Sequence, residues 1–423
     1  MKAKSWIARA LVLVIAFASL IAAQSPANAV VHPNQSDLFN PGIVNVINLT
    51  VPTATHDALN NVATAKKYAA ASFSFTTYGQ TTGPISVGIR LKGSTSLELI
   101  DAHPSFKIAF NWKLLRGNRF LGLKNLTLNA MTQDGSKLHE FGAYKLFNMM
   151  GVPAPRTGWA ELKINGVSRG LYVAIESVDD VFLGTKFNDV TQHLYEAIAL
   201  NDLKPGHDDG TALTGHYLTK EGWLATPNKN DLTKLIAAAN YSSGAKWWAK
   251  LGTVTDRNEL VTMFATENFL GHWDSYSGPL QNNHFFRSNI KNRFSMIPWG
   301  TDQTFGENRA TPTLLDDYFF PLDKPQAGFP WVQQAFHKDV MDRGLLFRKC
   351  LAYSVCKTAY LLKLNAVSAK ITSSKFVNTM RNAATTIADY SGQNERAEQT
   401  RVQQWIVKQQ ARVSAVLKAN RIN

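Results

Sequence analysis

Cysteine is nearly missing from this chain of 423 residues, which has only Cys350 and Cys356. A disulfide-dense scaffold and a multi-cysteine zinc module are therefore excluded. Charge is sparse too, at 18% Asp, Glu, Lys and Arg, and acids are the scarcer sign, 31 against 45 Lys and Arg. Beyond the first thirty residues no apolar run is long enough to span a bilayer. No internal repeat or heptad array occurs, which excludes a solenoid and a coiled coil. The sequence has no His-Glu-x-x-His, because Ala143 stands where a second histidine would follow His139-Glu140. It also lacks a Gly-x-Ser-x-Gly elbow and strict Walker A spacing. Basic and aromatic residues are spread out and match no nucleic-acid module, so no nucleic-acid partner is expected.

What is present is ordinary globular composition, with 45% apolar residues and a net charge of +14. A mostly disordered chain is excluded. Three of those positive charges, Lys2, Lys4 and Arg9, form the basic start of a signal peptide read over residues 1–29. Ala10 to Ala23 is its apolar stretch, and Ala27-Asn28-Ala29 is a small-x-small cleavage site. The mature chain is expected to be secreted or extracytoplasmic, with no transmembrane helix. Its positive charge would attract an acidic protein or an anionic envelope component. Export favours a disulfide between Cys350 and Cys356. Six residues along an unbroken helix is about 9 Å, too far to bridge, so pairing requires a helix break between them.

Residues 30–84 read as a mixed, turn-rich extension with a helical patch from His56 to Ala71. Ile85, Val87, Ile89 and Leu91 then alternate with polar or small residues, as do Phe106, Ile108, Phe110 and Trp112, and a period of two marks half-buried strands. Ala143, Leu146, Phe147 and Met150 fall at helical spacing, closed by Gly151 and Pro153. Asn165-Gly166 between Ala160–Ile164 and Leu171–Ile175 is a hairpin signal. Residues 85–177 thus read as an antiparallel sheet with one inserted helix. From 178 to 423 the character turns helical, with a loop-like stretch at 199–230. A capping box, Asp256 with Glu259, opens a helix through Gly271. His284–Arg287 and Phe294–Pro298 form a short hairpin, and helices run from Gly344 onward. The class is α+β.

Three places carry chemistry. Arg90, Lys92 and Lys107 alternate on strands, followed by the small-residue loop Gly93-Ser94-Thr95-Ser96, where backbone N–H groups can approach phosphates. Asp274 is followed by Asn282-Asn283. Asp302 stands in Pro298-Trp-Gly-Thr-Asp-Gln-Thr-Phe-Gly306. Asp and Asn are hard oxygen ligands that suit Mg²⁺. Together these are parts of a phosphoryl-transfer site: cationic clamp, metal ligands and a carboxylate to orient a hydroxyl.

The ordered segments Ile89-Arg-Leu-Lys-Gly-Ser-Thr-Ser96, Ser105-Phe-Lys-Ile-Ala-Phe110, Leu123-Lys-Asn-Leu-Thr-Leu-Asn-Ala130, Asp134-Gly-Ser-Lys-Leu138 and Ile164-Asn-Gly166 with Gly170-Leu-Tyr172 and Glu176 resemble the CotH family of spore-coat protein H kinases. So do Val178-Asp-Asp-Val-Phe-Leu183, Asp274 with Asn282-Asn283, and the segment around Asp302. The likeness covers roughly residues 85–310. It implies an atypical protein-kinase-like, two-lobed fold, with a sheet-rich nucleotide-binding N-lobe over 85–177 and a helix-rich catalytic C-lobe over 178–423. It also implies ATP and Mg²⁺ as cofactors and Ser or Thr of a protein partner as acceptor. By position, Lys107 would contact ATP phosphates, helped by Arg90 or Lys92 with Gly93 and Ser94. Glu176 would lie near the nucleotide, on the strand face opposite Leu171, Val173 and Ile175. Asp274 would orient the acceptor hydroxyl, and Asp302 with Asn283 or Asn282 would hold Mg²⁺. Two positions depart from the family. Gly300 stands where a carboxylate is usual, and His139 where arginine is more frequent. The first departure leaves open a non-catalytic envelope-binding or adhesion protein of the same fold. A glycan hydrolase with paired carboxylates is a more distant alternative.

Overall fold

Alternation decides the first half of the molecule. The computed structural model describes residues 33–93, 96–113, 117–190, 193–197, 202–207, 217–221, 229–306, 326–327, 340–341 and 343–422. The signal-peptide reading and Ser94 lie outside the described residues. After the short helix α1 (Gln35–Leu38) come strand β1 (Val44–Thr50), helix α2 (Thr53–Leu59), and strands β2 (Ala69–Thr77), β3 (Gln80–Lys92), β4 (Ser105–Ala109) and β5 (Asn125–Asn129). Helix α3 (His139–Met149) precedes strands β6 (Thr157–Ile164) and β7 (Val167–Glu176). The seven strands close into a barrel in the order β1-β2-β3-β4-β5-β7-β6. Every pairing is antiparallel except the seam between β1 and β6, which is parallel.

Two sequence expectations are corrected here. The sheet is a closed barrel, and the helical patch at 56–71 is shorter and earlier, with Ala69 already in β2. The stretch 30–84 contributes β1, β2 and the beginning of β3, so the division at residue 85 falls inside a strand. Its physical reason is visible in β2, where Ala71, Phe73 and Phe75 point into the barrel between serines and threonines. The barrel interior also takes Ile47, Leu49, Ile89, Leu91, Phe106, Ile108 and Leu128. Strands β6 and β7 bury both faces. Ala160, Leu162, Tyr172 and Ala174 point inward, while Trp159, Leu171, Val173 and Ile175 point outward into a second core. The run Leu171–Ile175 in β7 is accordingly continuous and apolar. Their hairpin turns at Asn165 and Gly166, both with positive φ (51° and 81°), as a two-residue primed turn demands.

The second core joins α3 and the outer faces of β6 and β7 to the C-terminal half. There α4 (Asp180–Lys186), β8 (Leu194–Ala197), β9 (Tyr217–Glu221), α5 (Asn230–Asn240), α6 (Gly244–Leu251) and α7 (Arg257–Leu270) precede β10 (His284–Ser288) and β11 (Phe294–Pro298). A four-stranded sheet runs β11-β10-β8-β9, so the expected hairpin is the edge of a larger sheet. Asp256 caps α7 by accepting from the N–H groups of Asn258 and Glu259. The reciprocal bond of a capping box is not made, because Glu259 turns to Ser295 instead (3.3 Å).

After the two-residue strands β12 (Gln326–Ala327) and β13 (Val340–Met341), helices α8 (Leu345–Leu351), α9 (Ser354–Ser373), α10 (Phe376–Thr386) and α11 (Gln393–Ala419) complete the chain. Among the described residues no helix is long and apolar enough to cross a membrane. The helix does break between the cysteines, at Ala352-Tyr353. Cys350 and Cys356, both fully buried, are joined with their Cα atoms 5.0 Å apart. A cross-link closing so short a loop contributes about 2 kcal/mol. The double variant Cys350→Ala and Cys356→Ala is expected to lose about that much unfolding free energy in urea titration, and an unchanged midpoint would show the bridge to be dispensable.

Candidate active site

Strand parity builds the cationic side of the site. Because Ile89, Leu91, Phe106 and Ile108 fill the barrel, Arg90, Lys92 and Lys107 lie on its outer face, with Arg90 opposite Lys107 in the β3–β4 register. Lys92 Nζ and Lys107 Nζ lie 5.9 and 5.8 Å from the ring centroid of Trp299, at the end of β11. The barrel lysines and the segment leading to Asp302 therefore meet, although Lys107 and Trp299 are 192 residues apart in sequence and Lys92 still further. Arg90 stacks over Tyr68 at 5.4 Å and donates to the Leu91 carbonyl. Gly93 ends the strand at φ +129°, with Leu97 N and Ser96 so near that a Cβ would fall within 3.0 Å of both. A side chain there would strain this turn.

The acidic side comes from three segments. Asp274 follows α7. Its Oδ2 accepts from the Asn283 amide (2.6 Å) and the Asn282 amide (3.3 Å), while its buried Oδ1 has no hydrogen-bond partner. Burial, then the charge of Asp302, pushes the Asp274 carboxyl up to about 8, and the Asn282 amide opposes the rise. Burial also raises Asp302, with Lys92 opposing and Asp134 reinforcing. Glu140, buried on α3, is pushed up to about 8 by burial and then by Asp302. Lys92 and an amide hydrogen bond from Asn129 (2.7 Å) hold Glu140 back.

Sequence reasoning met Glu140 only as half of an absent zinc motif. The available signal was an acid in the first turn of a helix that follows the lysine-bearing strands. Its partners, Asn129 and Lys92, are tertiary.

Backbone contacts fix these carboxylates. Asp134 accepts from the N–H groups of Ser136, Lys137 and His139, which seats the start of α3. His139 Nδ1–H then donates to the carbonyl of Asp302 (2.6 Å), and its ring lies 5.5 Å from that of Phe305. Trp299 donates its backbone N–H to Asn283 and accepts from His272 Nε2 at its carbonyl (3.1 and 3.3 Å). His284 donates to the Asn282 carbonyl. Burial lowers His272 to about 4 and His284 to about 3, so both serve as neutral scaffolding.

Gly300 acquires a structural meaning that the motif comparison alone does not give. It sits at φ +52°, and a Cβ there would lie 2.6 Å from Asn283 Cγ and Oδ1. The place of a side chain is occupied by Asn283, whose amide nitrogen bridges Asp274 Oδ2 and the Gly300 carbonyl (3.0 Å). That leaves the side-chain oxygen of Asn283, Oδ1, without a protein donor, while its backbone carbonyl accepts from Trp299. Glu176 is elsewhere engaged. It is buried, and both its oxygens are taken by the Arg156 guanidinium.

Among the described residues no three His, Cys, Asp or Glu side chains form a ready-made metal cage. The donor set does fit a hard cation that keeps waters and shares phosphate oxygens. Asp302 and the side-chain oxygen of Asn283 are such donors, and Asp274 Oδ1, buried without a hydrogen-bond partner, stands beside them as a free acceptor.

The model of the family described as CotH kinase protein matches residues 89–417. The chain belongs to this family. Among curated proteins it is similar to the inner spore coat protein H of Bacillus subtilis (strain 168), 24% identical over 221 residues, which cover 50% of this chain and 58% of that protein. The chain thus spans less than two thirds of that relative's length. Solved structures with some likeness include the Helicobacter pylori proinflammatory kinase CtkA (12% identity, TM-score 0.31, 69% of this chain and 91% of that one). Another is HipA of the Shewanella oneidensis MR-1 toxin–antitoxin system with HipB and operator DNA (10%, TM-score 0.31, 74% and 62%). Superpositions this loose carry no argument about the site.

Raised carboxyls have a measurable consequence. Between the unfolded carboxyl range near 4 and the folded values of about 8, the folded chain holds protons that the unfolded chain releases. Stability of the metal-free protein therefore falls as pH rises through this window, by up to about 1.4 kcal/mol per pH unit for each such group. Asp274→Asn is expected to flatten this fall when thermal unfolding is followed from pH 5 to 8 in chelator. An unaltered slope would mean Asp274 is ionised in the folded state.

Proposed function

We propose that the protein is a secreted kinase of two lobes that transfers the γ-phosphate of ATP to Ser or Thr of a protein partner. The observation that carries this reading is the meeting of Lys92 and Lys107 from the barrel with Trp299, beside Asp302, Glu140 and Asp274. Two adjacent ammonium groups suit a triphosphate, and buried carboxylates that repel one another suit a cation.

In this reading Lys107 and Lys92 hold phosphate oxygens, helped by Arg90 and the backbone that follows β3 at Gly93. Glu140, whose carboxyl feels the charge of Lys92, draws that lysine toward the cluster. Asp302 with Asn283, or Asn282, holds Mg²⁺. When bound, the ion supplies neutralisation of phosphate charge. Asp274 orients the acceptor hydroxyl and takes its proton at Oδ1, the oxygen without a partner. The acceptor oxygen bonds to the γ-phosphorus as the bond to the β,γ-bridging oxygen breaks, and ADP leaves. The pairing of Glu176 with Arg156 supports a structural part for that carboxylate beside its expected place near the nucleotide.

A second reading rests on Gly300. With Asn283 filling the space of a further carboxylate, a catalytically weak or inactive envelope or adhesion binding protein fits the same fold. Incubation with labelled ATP, Mg²⁺ and a casein-type acceptor separates the two. Transfer by the wild type is expected, and Asp302→Ala should reduce it at least a hundredfold while circular dichroism stays unchanged. Undiminished transfer by Asp302→Ala removes the site assignment. No transfer by the wild type, with no Mg²⁺-dependent ATP binding by calorimetry, favours the binding protein.

A further inference from the structure

A concave site lies away from the cluster just described. A cavity of about 450 Å³ opens between the α6–α7 turn, Arg293 before β11, and α9. It sits at the N-terminal end of α7, whose C-terminal end leads into Asp274. It also sits at the start of β11, whose far end leads into Trp299. Fourteen residues of helix separate the two regions by about 20 Å, so this cavity takes no part in the chemistry.

Its polar lining is cationic and held in place. Arg293 donates to the carbonyls of Gly252 (3.2 Å) and Thr255 (2.8 Å), which pins its guanidinium and leaves three of its five N–H groups without a protein acceptor. Arg257 stacks on Trp248 at 5.1 Å. It lies across Gly252 so closely that a Cβ there would come within 2.9 Å of Arg257 Nε. Lys363 adds a third charge from α9. None of the three pairs with a carboxylate among the described residues. Asp256, the acid of the lining, spends one oxygen capping α7. The rest of the lining combines Thr255 and Asn258 with the apolar Val261, Ala359 and Val355, the last 53% exposed. A cation in the first turn of a helix is opposed by the helix dipole, so Arg257 is placed against its own local electrostatics.

We propose that this cavity docks an acidic segment of a protein partner, in which carboxylate side chains flank an apolar one. Planar guanidinium forks match carboxylates in two-point geometry. Their fixed positions lower the ordering cost of binding. The indole and valine wall favours a peptide over a phosphate polymer, which has no apolar side chain to place there. The inference stands apart from the catalytic reading, since it concerns binding alone.

The test titrates a fluorescein-labelled Glu-Glu-Leu-Glu-Glu peptide with the full chain, read by fluorescence anisotropy. Binding is expected that weakens as salt rises and is absent for Lys-Lys-Leu-Lys-Lys. Arg257→Glu with Lys363→Glu should weaken it at least tenfold. Gly252→Ala, which displaces Arg257 and keeps every charge, should weaken it about threefold. Lys66→Glu, an exposed reversal in the barrel half, should change it less than twofold. Circular dichroism melting confirms that each variant is folded, and an acid in the first turn of α7 suits the helix. No binding by the wild type, or equal binding by the double reversal, overturns the proposal. Full displacement by polyphosphate at equal charge overturns it in favour of an anionic polymer.

Discussion

Trp299 is the contact on which the site depends. Its indole receives two ammonium groups from neighbouring barrel strands, its backbone N–H holds the Asn283 carbonyl, and its own carbonyl holds His272. Cation–π attraction favours each lysine separately, while the two like charges repel. The arrangement is therefore balanced by the acids behind it, Asp302 and Glu140, both of which interact with Lys92. Moving the indole would release the lysines from the C-terminal half, whereas Asn283 is held by the Trp299 backbone.

The polar groups around that contact divide into two kinds. His272 and His284 are neutral, buried and hydrogen-bonded, and they hold backbone in place. Asp134 and His139 likewise act through backbone, linking the start of α3 to the carbonyl of Asp302. The carboxyls of Asp274, Asp302 and Glu140 are different. Burial makes their charged forms unfavourable, and the protein leaves one oxygen of Asp274 without a donor. Groups kept at such a cost are the places where a sequence departs from stability alone.

Local signals made much of this legible. The alternation around Ile89 and Phe106 put Arg90, Lys92 and Lys107 on one face, Asn165-Gly166 made its hairpin, and Asp256 and Gly271 bounded α7. The order of the strand lysines, Asp274, Asn283 and Asp302 already read as a phosphoryl-transfer site, and the family likeness added a role for each. What stayed hidden was tertiary. Glu140 gains meaning only from Asn129 and Lys92, which lie on other elements. Gly300 resembled a loss until the side chain of Asn283 was found in its place. The break at Ala352-Tyr353 carries neither proline nor glycine, so the sequence did not mark where the cysteines could meet. Closure of the barrel was equally invisible, because it depends on β1 finding β6 over a hundred residues later.

That parallel seam has a consequence for how the chain comes into being. In the finished barrel β1 shows no free edge, since β2 covers one side and β6 the other. During synthesis β1 is among the first strands to emerge, and its second neighbour is among the last of the barrel. Until residues 157–164 arrive, one row of β1 amides and carbonyls stands open, and open rows recruit other chains. The finished molecule is protected from edge-to-edge association by closure, whereas the nascent one must bridge a long interval without it, so the hazard for this architecture lies in its assembly.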